Sequence, residues 1–336
     1  MNLRQIGEFG LIRRIRNRFP PPPFIPLGIG DDAAAILPAS GQLLLATTDS
    51  QIEGVHFNRA FSTFHQIGYK SVMVNVSDIA AMGGTPRYLL MSLGLAERQT
   101  VEEIDQLYQG IGKASGEAGL VLIGGNISST KGPFFISPTL LGEVPKKEMV
   151  GRGGARAGEA LYVTGSLGEA AAGLALLREG IGAARVARPF ARLLRRYRTP
   201  QARWREGRLL ARRGIPSAMI DLSDGLAADL RHLIEESRLG AEIDGALLPI
   251  SSLLKRAALQ TGVNPIEYAL NGGEDYELLF SVPEKKIDTL EKLIRQGLIE
   301  ARRIGRMMRG SFGLRWIEPD GRKRLIGPGG WDHFKK

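Results

Sequence analysis

Apolar residues recur at helical spacing from the start of the chain. Leu3, Ile6, Phe9, Ile12 and Ile15 predict a helix over residues 3–18. The prolines at 20–23 end it and open an extended connector. Two short apolar runs, 33–37 and 43–46, flank the turn-like Pro38-Ala39-Ser40-Gly41 and read as a pair of strands. Residues 64–82 read as a helix closed by Gly83, Gly84 and Pro86. Strands are expected at 88–95, 120–123 and 134–142, with a helix over 101–118. Pro145, Lys146, Lys147 and the run Gly151-Arg152-Gly153-Gly154 then interrupt the periodicity. We draw a domain boundary there, giving domains 1–148 and 149–336. Beyond it, strands are expected at 161–164, 218–220, 241–243 and 276–282. The expected helices are 170–178, 226–236, 253–260 and 287–296, besides arginine-rich helices after 185. Strands and helices alternate in both halves, which predicts α/β layers.

Composition narrows the class. A chain of 336 residues with 43% hydrophobic and 24% charged residues suits a globular protein with two sizeable cores. It has no cysteine, which excludes disulfides, thiolate metal sites and a catalytic thiol. The N-terminal sequence lacks the apolar core of a signal peptide, and no run of about 18 apolar residues occurs. The expectation is a soluble, cytoplasmic protein with no membrane partner. Between residues 185 and 213 lie eleven arginines and one acid, Glu206, so this stretch carries the whole net charge of +10. Such a strip attracts phosphates, acidic partners or nucleic acid. The plainer reading is a solvated face of arginine-rich helices, since only Tyr197 and Trp204 offer stacking surfaces within it.

The chemistry lies in the carboxylates. Asp31 and Asp32 follow Gly28-Ile29-Gly30, Asp49 ends an apolar strand after Thr47 and Thr48, and Asp78 sits in an apolar helix. Asp221 and Asp224 flank Leu222-Ser223, and Glu274 and Asp275 follow Gly272-Gly273. A carboxylate among apolar residues is costly unless it is paired or binds a cation. Ser71, Asn75 and Asp78 share one polar stripe on their helix. With no cysteine and four histidines, oxygen ligands for Mg²⁺ are the best-supplied set. Mg²⁺ takes one or two protein carboxylates and completes its shell with waters and phosphates, so scattered acids suit several ions on a polyphosphate. The glycine turns Gly124-Gly125-Asn126 and Gly165-Ser166-Leu167-Gly168 could turn N–H groups toward an anion, or serve geometry alone. No P-loop, protein-kinase signature or G-x-S-x-G elbow is present. His56 reads as a loop or core histidine, and Trp331 either docks the tail or stacks on a flat ring.

Eight strings, in order from about Glu8 to Phe334, carry a resemblance: GIGDDAA, TTDSQIEGVHF, GYKSVMVNVSDIAAMGGTPRY, LIGGNIS, VTGSLGEAAAGL, IDLSDGLAADL, LNGGEDYELLF and GGWDHF. They resemble the thiamine-monophosphate kinases, within the aminoimidazole ribonucleotide synthetase superfamily. The resemblance implies an α/β fold of α+β type with two PurM-like domains. The first would dimerise through its sheet, and the active site would lie in the cleft between the two. It implies Mg²⁺-dependent, direct in-line transfer of the ATP γ-phosphoryl group to thiamine phosphate. By motif, Asp32, Thr47, Thr48, Asp49, Asp78, Asn126, Asp221 and Asp224 would serve the metals. Tyr108, Gly125, Asn126, Arg152 and Ser223 would contact ATP, and His56, Glu274 and Trp331 would contact thiamine phosphate. Asn126 stands where many relatives carry Asp, and its amide oxygen can still ligate but adds no charge. Two other readings are an ATP-using relative such as aminoimidazole ribonucleotide synthetase, and a nucleic-acid-binding protein using the 185–213 strip.

Overall fold

The computed structural model describes residues 14–20, 22, 39–180, 188–318 and 320–327. The expected strand at 33–37, most of the first helix, Asp32 and Trp331 lie outside these residues. Within them, residues 14–18 are helical (α1). The chain divides into two compact units, Met1–Ile79 with Gly84–Lys147, and Ala80–Gly83 with Glu148–Lys336.

The first unit is a sheet covered by helices. Strands β1 (Gln42–Thr48), β3 (Thr85–Ala96), β4 (Val121–Thr130) and β5 (Phe135–Pro145) run in the order β1-β5-β3-β4, and the short β2 (Gln51–Ile52) pairs with β5. Among the described strands of this unit, only the β3–β4 pair is parallel. The crossover joining that pair is helix α3 (Val101–Ala118), whose ends match the sequence reading. Its start is set by a capping box: Thr100 accepts from the Glu103 N–H while Glu103 reaches back to the Thr100 N–H. It packs beside α2 (Phe64–Ala81) at a glycine contact. A Cβ on Gly68 would stand 2.1 Å from the Leu107 carbonyl oxygen, and one on Gly110 1.9 Å from that of His65. Only glycine lets the two backbones meet so closely.

The second unit holds a seven-stranded sheet in the order β12-β11-β8-β10-β6-β9-β7. Its strands are β6 (Ala160–Thr164), β7 (Ala218–Asp221), β8 (Leu239–Asp244), β9 (Leu278–Val282), β10 (Ala301–Arg309), β11 (Leu314–Ile317) and β12 (Lys323–Leu325). Its central strands are apolar on both faces. Leu161, Val163, Ile220 and Leu279 enter one core, while Ala160, Tyr162, Met219, Leu278 and Phe280 enter another. Period-two alternation between two buried faces produces the unbroken apolar runs that the sequence shows. The helices are α4 (Glu169–Arg178), α5 (Ala191–Arg198), α6 (Trp204–Arg212), α7 (Leu226–Ser237), α8 (Ser252–Thr261), α9 (Pro265–Asn271) and α10 (Glu284–Arg295).

Three differences from the sequence reading have physical causes. The last expected strand starts at Leu278 rather than 276, because Glu274 and Tyr276 take left-handed backbone angles (φ 69° and 51°) and leave the sheet. Strand β10 is absent from the sequence reading. Its buried residues Ala301, Ile304 and Met307 are separated by arginines, and a bulge between Arg303 and Gly305 breaks the alternation. Gly124, Gly125 and Asn126 form no turn: all three lie inside β4. A Cβ at Gly125 would stand 2.1 Å from the Met91 carbonyl oxygen, so that glycine serves strand-to-strand approach.

Candidate active site

In the first unit the oxygen ligands gather at one end of the sheet. Thr47, near the end of β1, donates its hydroxyl to Asp78 Oδ2 on α2 at 2.5 Å. Thr48 donates to the Pro138 carbonyl and accepts from Thr139 (2.8 and 3.2 Å). Asp49 follows directly and is half-buried. The polar stripe of α2 faces inward. Ser71 and Asn75 are fully buried, and Asn75 Nδ2 donates to the Ser71 carbonyl (3.1 Å). Asn75 Oδ1, three residues before Asp78, is buried without a hydrogen-bond partner.

Strand register relates these groups to β4. Thr48 pairs with Thr139, Thr139 with Leu90, and Leu90 with Gly124. Gly125 and Asn126 are the next residues along β4, so the two sets are about three strand spacings, roughly 14 Å, apart. Asn126 is exposed and donates to Ser128 Oγ (3.1 Å). His56 is half-buried in the turn after β2, where its Nδ1 accepts the Ile52 N–H (3.1 Å). Tyr108 is buried on α3 with its ring 5.9 Å from that of Phe19, and burial raises its phenol pKa.

In the second unit β7 ends at Asp221 and leads through Leu222-Ser223-Asp224 to the N-terminus of α7. The segment 273–277 lies against that loop. The Glu274 N–H donates to the Ser223 carbonyl, the Tyr276 N–H to the Leu222 carbonyl, and the Leu222 N–H to the Glu277 carbonyl, each at 2.8 Å. Asp221, Ser223, Asp224 and Glu274 are thereby brought together. Glu274 also faces α5, where burial and then the Glu274 charge raise the pKa of Tyr197. Arg152 is exposed beside β7, since the neighbouring Gly151 carbonyl accepts the Met219 N–H (3.0 Å).

Sequence reasoning missed Asp229. It is buried in the first turn of α7, and its Oδ2 accepts the N–H groups of Asp224 and Gly225 (3.1 and 3.0 Å). Burial, then the charges of Asp221 and Asp224, hold its pKa well above the carboxylate range. A lone acid in the apolar string Leu226-Ala227-Ala228-Asp229-Leu230 was the available signal.

Two expectations are corrected. At the N-terminus of α4 the Gly168 and Ala170 N–H groups are taken by a carboxyl group of the protein itself rather than left for a phosphate. That group is Asp275, its Oδ2 accepting from Gly168 N–H at 2.6 Å and its Oδ1 from Ala170 N–H at 3.3 Å. Asp275 is therefore committed inside the protein. Nor is the arginine strip merely a solvated face. Arg203 makes a two-nitrogen contact with buried Glu277 (2.6 and 2.8 Å), which also receives Arg196 (3.2 Å) and Thr164 (2.6 Å). Arg192 and Arg196 reach the fully buried Glu169 (3.0 and 3.4 Å), and Arg208 pairs with Glu148.

Among the described residues, no three His, Asp or Glu side chains form a cage for a metal ion by themselves. The donor sets still fit Mg²⁺, which takes one or two carboxylates and leaves its other positions to water and phosphate. The orphaned Asn75 oxygen beside Asp78, and the acidic group in which the charges of Asp221 and Asp224 raise the pKa of buried Asp229, are environments suited to a hard cation.

Residues 30–144 match the N-terminal domain of AIR synthase related proteins, and residues 156–317 match their C-terminal domain. The two-sheet architecture and the carboxylates at strand ends thus define a member of that class. The thiamine-monophosphate kinase of Aquifex aeolicus (strain VF5) is 38% identical over 99% of this chain and 100% of its own. The crystal structure of the enzyme from Stenotrophomonas maltophilia K279a is 34% identical, with a TM-score of 0.83 over 94% of this chain and 97% of that one. AaThiL complexed with AMPPCP and TMP is 37% identical, with a TM-score of 0.78 over 99% of both chains. The chain belongs to the thiamine-monophosphate kinase family.

Proposed function

We propose that this protein transfers the γ-phosphoryl group of ATP to thiamine phosphate, giving thiamine diphosphate and ADP. The observation that carries the reading is the near full-length similarity to a solved kinase complexed with AMPPCP and TMP. Mg²⁺, when bound, would neutralise phosphate charge and align the reacting groups. In this reading several Mg²⁺ ions are held: Asp78 and Asp49, with Thr47 and Thr48, would hold one in the first unit, the Asn126 amide oxygen would serve another, and Asp221 and Asp224 would hold one in the second. Asp32 belongs to the same set by motif. Asp229 keeps the loop at 224–225 in place. Tyr108, Gly125, Asn126, Arg152 and Ser223 are assigned to ATP, and His56, Glu274 and Trp331 to thiamine phosphate. The acceptor is a phosphate oxygen already ionised near neutral pH, so the protein need supply no strong base, only position and charge. The reading includes a cytoplasmic homodimer with domains 1–148 and 149–336. Among the described residues no helix is long and apolar enough to cross a membrane. Leu44, exposed on β1 at the end of the strand order among the described residues, supports a sheet-mediated contact.

A coupled ADP assay tests the reading, with thiamine phosphate compared with formylglycinamidine ribonucleotide. Turnover is expected with thiamine phosphate alone. Asp78→Asn and Asp221→Asn are expected to lower kcat by about a hundredfold or more. Turnover only with the ribonucleotide, or full activity in both variants, would sink it.

A further inference from the structure

The segment 272–277 departs from regular structure in a way that points to a task. Glu274 and Tyr276 hold left-handed angles (φ 69° and 51°) that favour glycine. Such backbone persists only where surrounding contacts over-determine it. Three backbone hydrogen bonds join the segment to Leu222 and Ser223. Burial changes abruptly along it: Glu274 is half-buried beside Tyr197, while Asp275, Tyr276 and Glu277 are buried, at 6%, 5% and 0% exposure.

The two buried acids are anchored differently. Glu277 is gripped by side chains, Arg203, Arg196 and Thr164. Among the described residues Asp275 takes its hydrogen bonds from backbone, the Gly168 and Ala170 N–H groups at the start of α4, a helix of 10 residues. Hydrogen bonds to two fixed main-chain donors leave a carboxyl group little freedom to shift. The left-handed residues lie on either side of that anchor.

We propose that Asp275 is a positioning residue: docked on the N-terminus of α4, it fixes the left-handed turn that places Glu274 for thiamine phosphate. The inference rests on the assignment of Glu274 under Proposed function. It goes beyond that assignment by naming the buried group through which Glu274 is held. Asp275 touches no substrate. It acts by denying its neighbour other conformations, as preorganised sites require.

The test is steady-state kinetics on the full-length enzyme with Asp275→Asn and Asp275→Glu. The amide offers an oxygen to one N–H and opposes the other, and the longer acid displaces the turn. Each variant is expected to raise KM for thiamine phosphate about tenfold, with kcat and KM for ATP within about twofold. The effect should not add to that of Glu274→Gln in the double variant, because both act through one side chain. Uniform loss of kcat, a lower Tm with KM unchanged, simple additivity, or failure of both variants to fold would overturn the proposal. Wild-type enzyme that transfers nothing to thiamine phosphate would instead overturn the functional reading, and this proposal would fall with it.

Discussion

Asp275 has a carboxyl group that water scarcely reaches. Burial pushes its pKa up from 3.8 to about 7, against the pull of the Gly168 and Ala170 N–H groups, with Glu277 raising it further and Arg196 lowering it. The folded chain therefore holds this proton to higher pH than the unfolded chain does. The resulting stabilisation is complete below about pH 4 and is lost as pH rises through about 7. Denaturant unfolding of wild type and Asp275→Asn across that window measures it. The wild type should lose stability relative to the variant as pH rises. A difference that stays flat with pH would show that the group titrates alike in both states. Asp229 differs, because Asp221 and Asp224 add to the burial that raises its pKa. Asp275 was legible in the sequence as an acid at a strand end. Its partner was not, because Gly168 lies 107 positions away.

At the level of elements, arginines of α5 and Arg203, at the N-terminal cap of α6, support the second unit through buried acids. Glu277 is 0% exposed at its side chain and Arg203 only 15%. Removing one member of a buried pair leaves the other charged and unmatched, which costs more than the pair contributes. Arg203→Met is expected to destabilise the protein by about 3–5 kcal/mol, read by chemical denaturation. A loss below about 1 kcal/mol would mean that Arg196 and Thr164 satisfy Glu277 without it. Helix α3 shows what local sequence can specify. Thr100, Glu103 and the apolar period mark its start, and Gly119 takes the left-handed angle (φ 72°) that ends it. Strand β10 shows the reverse. Its arginines hide a buried face that exists only once β6 and β8 flank it.

For the whole molecule, a local charge of +10 is not a surface charge of +10. Arg192, Arg196, Arg203 and Arg208 meet carboxylates, including Glu169 and Glu277 from elsewhere in the chain. Arg195, Arg212 and Arg213 remain exposed. Replacing those three with Gln is expected to weaken retention on a polyanionic resin while leaving stability within about 0.5 kcal/mol and turnover unchanged. A loss of turnover on thiamine phosphate would give the strip a part in the reaction. By itself the sequence determined the order of most elements, the oxygen-only donor chemistry and the family, because period, caps and motif spacing are local and survive in one dimension. Only the tertiary structure decided which acids are already committed. A carboxylate's role depends on the donors that meet it, and those of Asp275, Glu277 and Glu169 are set by packing between distant segments rather than by neighbours in the chain.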